Sequence, residues 1–261
     1  MEYFLLLVIG CTAGLLTGLI GASGVMVVVP ALVILGYPAS GAIGASLFID
    51  TIASLVVAWT YYQSGNLNLK HGLWIALGSV VGAQVGSLVS PFIPDTGLSG
   101  AFGIFLLVSA AIFWFRGRKG IVPAAGGDQE GSRPPRLLGA LRANIVISGL
   151  SLGFFVGVIS GLLGAGGGVM ILLILVFVMQ YRLHEGIGTS TLIMAVTAAS
   201  GAAGHALSSD LPLKAALLGA AGTLIGGRLA AVFANRVGEK LLSRVVAGVF
   251  VVLAVVMLAV R

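Results

Sequence analysis

In 261 residues the chain carries 58% hydrophobic and only 8% charged side chains, with a mean hydropathy of +1.13. That leaves too little polar surface to cover a water-soluble particle, which excludes an ordinary globular domain. The formal net charge of +6 comes from bases placed mainly in short connections between apolar runs, the mark of a cytoplasmic membrane face and not of a nucleic-acid surface.

The sequence opens Met1-Glu2-Tyr3-Phe4, without the basic region or cleavage site of a signal peptide, so a first helix over 3–20 is expected to remain. It runs into Gly21-Ala22-Ser23-Gly24 and then a short apolar piece over 25–36. Longer runs follow at 41–62, 72–89 and 98–115, each near the ~20 residues that span a hydrocarbon core. None alternates apolar and polar residues, which predicts helices over a β-barrel; the fold class is all-α, a polytopic transmembrane helix bundle. Residues 116–141 are polar, with Arg116, Arg118, Lys119, Asp128, Pro134 and Pro135, and read as a linker loop. Cys11 is the only cysteine, so an internal disulfide or a cysteine-based metal site is excluded.

The second part repeats the first. GLLTGLIGASGVM at 14–26 matches GVISGLLGAGGGVM at 157–170, with one extra glycine in the second copy. Beyond it an offset of 144 pairs Tyr37 with Tyr181, Ile43 with Ile187, Ser46 with Ser190, Gly78 with Gly222, Gly82 with Gly226 and Gln84 with Arg228. The expected organisation is a first repeat over 1–115, a cytoplasmic linker over 116–141 and a second repeat over 142–261. Each repeat holds a broken helix or re-entrant hairpin and three spanning helices. Whether the short pieces at 25–36 and 169–180 cross or re-enter stays open, but the crossing number per repeat is odd either way, which inverts the second copy. With the linker inside, Lys70, Arg182, Arg236, Lys240 and Arg244 fall on the cytoplasmic side with it, and only Lys214 and Arg261 fall outside. Both termini are then outside.

Four groups of residues invite chemistry. Gly21, Ala22, Ser23, Gly24 and Val25, and in the second copy Gly164, Gly166, Gly167 and Gly168, interrupt apolar runs and leave backbone N–H groups unpaired at membrane depth. Short helices start there, so two positive dipole ends would face one buried anion site; glycines that merely permit close helix packing are the plainer reading. Ser46, Ser190 and Thr191 lie near the starts of the following spans and offer hydroxyls either to an oxyanion or to neighbouring helices. Asp50 is the carboxylate inside a predicted span, a coupling residue for protons or sodium or a structural partner of Arg228. Gln84 and its counterpart Arg228 sit within stripes of small residues, as gating candidates or as packing and snorkelling residues. His71 and His184, in connections, and His205, near a helix end, show no metal-ligand spacing.

The pattern GLIGASGV with GLLGAGGGV, the long repeat, and GSVVGAQVGS with GTLIGGRLA resemble the sulfite exporter TauE/SafE family over nearly the whole chain. The resemblance implies a multi-pass permease of the bacterial cytoplasmic membrane that exports sulfite or another small sulfur-containing anion such as sulfoacetate. It implies no cofactor and carries the site to the two glycine breaks. Two other classes fit single features. Gly21-Ala22-Ser23-Gly24 matches the GxSG motif of rhomboid-like intramembrane serine proteases, although the second copy has glycine at the serine position. A channel would use the same breaks as a selectivity site. Oligomeric state is not legible.

Overall fold

The computed structural model describes residues 2–70, 72–89, 111, 144–163, 167–208 and 211–259, and every element among them is helical. In chain order these are α1 (Glu2–Ile20), α2 (Val25–Ile34), α3 (Ala39–Gln63), α4 (Gly72–Val89), α5 (Ile145–Leu163), α6 (Gly168–Leu173), α7 (Leu183–Ser208), α8 (Leu213–Arg236) and α9 (Glu239–Ala259). α6 continues as a π-helical stretch, Ile174–Val178. The run expected at 98–115 lies outside the described residues apart from position 111. Among the described residues five helices are long and apolar enough to cross a membrane, and α2, at ten residues, reaches only about 15 Å. The protein is a multi-pass membrane protein.

The packing of α4 is the reverse of a soluble helix's. α4 buries Gly78, Ser79, Gly82, Ala83 and Gly86 and turns Leu73, Leu77, Val81, Val85 and Leu88 outward. Between membrane helices no hydrophobic force favours large apolar contacts, because lipid is as apolar as leucine; small residues that let backbones touch win instead. A methyl group added at Gly78 would fall on the Leu150 carbonyl, and one at Gly82 on the Phe154 carbonyl, so α4 and α5 are interlocked backbone to backbone. α1 and α8 do the same through Gly222 on the Leu7 carbonyl and Gly226 on the Cys11 carbonyl. These contacts are one set seen twice: the sequence offset carries Gly78 to Gly222 and Leu150 back to Leu7. The first helix of each copy packs on the fourth helix of the other.

The order of contacts gives the direction of each helix. Gly10, Gly14 and Gly18 of α1 meet Gly219, Thr223 and Gly227 of α8, and Gly219 and Gly227 also meet Ile49 and Val57 of α3, all in rising order. α1, α3 and α8 therefore run parallel. Rising order also holds for Gly78 and Gly82 of α4 on Leu150 and Phe154 of α5, and for Gly72, Ser79 and Gln84 of α4 on Thr189, Thr197 and Ser200 of α7. Between α3 and α7 the order falls: Gly188 meets Tyr61, Gly201 meets Leu47 and Gly44 meets His205. So α4, α5 and α7 run against α1, α3 and α8.

This direction sorts the helix ends into two faces. On one, Asn66 donates to Asn235 at 2.7 Å, Thr189 donates to the Asn68 carbonyl at 3.1 Å, and His184 lies 3.8 Å from the Glu239 carboxylate. Lys70, Arg182, Arg236 and Lys240 belong to these helix ends. The opposite face carries Glu2, Tyr37 and Lys214. His184, expected in a connection, is the second residue of α7; its ring donates to the carbonyls of Ala234 and Val237, which ties the start of α7 to the end of α8.

Candidate functional site: the meeting of two helix breaks

α1 ends where Gly21 adopts φ +63, a left-handed conformation that L side chains avoid at a cost of roughly 1–2 kcal/mol. The chain then doubles back. Gly24 packs on Ala13, and Tyr37, beyond the end of α2, donates a 2.8 Å hydrogen bond to Glu2 at the start of α1. The question left open by the sequence is thus answered for the first short piece: α1 and α2 form a hairpin that returns to the face it left. Gly36 at φ +92 and Gln180 at φ 60, offset equivalents, turn the chain after the short helices.

In the second copy Gly167 supplies the left-handed turn at φ +65 and packs on Val156, the counterpart of Ala13. Gly164 and Gly166 lie outside the described residues. The two breaks touch: a methyl group on Gly168 would fall on the Gly21 carbonyl oxygen and 2.5 Å from Met194 Sδ. Ser190 of α7 completes the contact, its Oγ standing 2.7 Å from where a Gly21 side chain would begin.

The start of α2 already holds a carboxyl group, and it is the chain's own. Asp50, fully buried on α3, accepts the Gly24 N–H at 2.9 Å and the Ser23 hydroxyl, while Ser23 Oγ accepts the Val25 N–H at 3.2 Å. A carboxylate at a helix N-terminus satisfies orphan donors and complements the dipole, so this is a stable cap. The offset equivalent of Asp50 is Met194, and the equivalent of Gly24 is Gly168, where Met194 does stand. One break is capped by a carboxylate and the other faces a thioether.

The remaining residues divide. Ser190 donates to the Ile187 carbonyl at 3.0 Å, and Thr191 to the carbonyls of Ile187 and Gly188 at 3.0 and 2.8 Å. Both are fully buried, and Ser190 is the one in contact with a break. Ser46 is also fully buried, and its hydroxyl has no partner among the described residues. Gln84 donates to the carbonyl and hydroxyl of Ser200 at 2.7 and 2.8 Å, stapling α4 to α7. Arg228 is exposed on α8, and among the described residues Asp50 makes no ion pair. His205 lies beside Gly44, nearer the start of α3 than Asp50, while the Ser23 hydroxyl is committed to Asp50. Sequence reasoning did not foresee Met194, nor Ser54, a second fully buried hydroxyl without a partner among the described residues. Ser54 carried a signal: with Ser46 and Asp50 it repeats every four residues, one face of a helix.

The sequence profile of the sulfite exporter TauE/SafE family matches residues 6–257. Among curated proteins, the chain is 26% identical to the probable membrane transporter protein YunE of Bacillus subtilis, over 92% of this chain and 91% of that one. It is 27% identical to the probable membrane transporter protein YdhB of the same organism, over 85% and 86%. It is 28% identical to the probable membrane transporter protein MJ0441 of Methanocaldococcus jannaschii, over 76% and 70%. No solved structure matches it significantly.

Proposed function

Because the chain belongs to the sulfite exporter TauE/SafE family, we propose that it is a secondary transporter exporting sulfite or a small sulfur-containing organic anion of the sulfoacetate kind. It works by alternating access between two inverted repeats, 1–115 and 142–261. The observation that carries this reading is the contact of the two breaks, Gly21 against Gly168, from helices that the repeat makes equivalent. Irregular backbone at membrane depth is tolerated where it lines a cavity or a ligand, and transporters of inverted-repeat design place their substrate there. The antiparallel course of α3 and α7, which are repeat equivalents, supports the inversion.

The anion meets the N–H groups around Gly167, Gly168 and Val169, with Ser190 and Thr191 as the nearby hydroxyls. Met194 leaves that end without an internal counter-anion. Asp50 sets the condition for binding. Its charge opposes an anion bound nearby, so the anion binds well only when that charge is neutralised. In the membrane, the linker and the basic helix ends lie in the cytoplasm, with both termini outside.

The test is uptake into liposomes of sulfite, sulfate, thiosulfate, sulfoacetate and taurine by the purified protein. Saturable uptake of sulfite or sulfoacetate, abolished by Gly168→Leu in a folded protein, is expected. Failure to take up any of these anions overturns the proposal, and non-saturating flux would make the protein a channel.

A further inference from the structure

Ser46, Asp50 and Ser54 occupy one face of α3 at four-residue spacing, and all three are fully shielded from solvent. Hydroxyls in membrane helices ordinarily donate to the carbonyl three or four residues back, as Thr17, Thr51, Thr60, Thr191 and Thr197 do here at 2.8–3.0 Å. Ser46 and Ser54 do not; among the described residues neither Oγ has a partner. Asp50 is under-used as well. Its two oxygens accept one hydrogen bond each, from Ser23 and Gly24, where a carboxylate offers about four acceptor positions. Among the described residues of α1, α2, α7 and α8, the elements packed on α3, Asp50 makes no ion pair. Two unpartnered hydroxyls flanking a carboxyl that keeps free acceptor positions are costly in a membrane interior unless something supplies the missing partner.

We propose that this face of α3 is a binding site for one dehydrated monovalent cation, sodium, held between the Asp50 carboxylate and the flanking hydroxyls of Ser46 or Ser54. Hard oxygen donors suit such an ion, and side chains four apart on a helix begin about 5–6 Å from each other, which leaves room for an ion bridging two oxygens. A proton would neutralise Asp50 equally but would need neither hydroxyl. The second copy cannot form the site, because Ser190, Met194 and Ala198 stand at the equivalent positions. One ion binds per chain. Its functional consequence rests on the transporter reading: the ion cancels the charge that Asp50 turns toward the anion, so cation and anion bind together.

The experiment measures radioactive sodium binding to the purified full chain without any anion, so that its outcome does not depend on the substrate. Saturable binding of one sodium per chain, displaced by unlabelled sodium and not by choline, is expected. Asp50→Asn should abolish it, and Ser46→Ala or Ser54→Ala should weaken it at least tenfold while leaving the protein monodisperse. Alanine is well tolerated in a helix, so these two variants keep the test valid if Asp50→Asn does not fold. Absence of sodium binding by the folded wild type, or binding unchanged by both serine replacements, overturns the proposal. Anion uptake driven by a pH gradient in sodium-free liposomes, together with no sodium binding, overturns it in favour of a proton. Sodium binding without uptake of any tested anion would leave this site standing and remove the transporter reading.

Discussion

Replacing Gly21 by alanine tests the meeting of the breaks. Two costs add. The residue holds φ +63, where an L side chain loses roughly 1–2 kcal/mol. Its new methyl group would begin 2.7 Å from Ser190 Oγ and 3.4 Å from Ile187 Cγ2, an overpacking worth about 1–3 kcal/mol. The sum, about 2–5 kcal/mol, corresponds to a fall of roughly 5–15 °C in the apparent melting midpoint of the detergent-purified protein at fixed scan rate. The two costs separate by a second change. Ser190→Ala removes the clashing oxygen but not the backbone strain, so the double variant should recover about 1 kcal/mol or more relative to the sum of the single changes. A Gly21→Ala protein as stable as wild type, or a double variant that melts where additivity places it, would refute the close approach of α7 to the first break.

Gly82→Leu and Gly226→Leu, repeat equivalents whose side chains would strike the carbonyls of Phe154 and Cys11, should each prevent correct assembly, read as aggregation in size exclusion. Gly238→Ala, with nothing within 4 Å of the new methyl, should change stability by less than about 0.5 kcal/mol. The hydrogen bond to Glu2 raises the pKa of the Tyr37 hydroxyl above its ordinary value, so the folded protein holds that proton longer than the unfolded chain. The resulting stabilisation is complete below about pH 10 and is lost as pH rises through the raised value. Tyr37→Phe should therefore flatten the alkaline part of the melting profile, and an unchanged profile would refute the contact. In a Cys11→Ser background, single cysteines at Lys70 and Arg236 should react with an impermeant thiol reagent from one side of the membrane and a cysteine at Lys214 from the other. Labelling of all three from one side would refute the assignment of the helix ends.

Much of this architecture is written in the sequence at the level of runs and small residues. Hydropathy placed helices close to α1, α3 and α4, and the glycine stripes of α4 and α8 mark contact faces because only glycine lets two backbones approach so closely. The direction in which the chain leaves Gly24 is another matter. It depends on a contact with Ala13 and a hydrogen bond from Tyr37 to Glu2, which leave no periodic trace. For the same reason the partner of Asp50 was not legible. Arg228 suited it by charge, but the return of α2 brings Gly24 and Ser23 to the carboxylate and leaves Arg228 on the exposed side of α8. The asymmetry between Asp50 and Met194 was present in the repeat alignment. Its meaning needed the knowledge that both positions face the start of a short helix.

Alternating access is tested most directly by the accessibility of Ser190, buried at the contact between the breaks. With Ser190→Cys as the sole cysteine in oriented vesicles, an impermeant thiol reagent should modify the position slowly from either side, and sulfite should protect it from both. Modification from one side only, or no protection by any of the sulfur anions, would contradict a site that opens in turn to each face of the membrane.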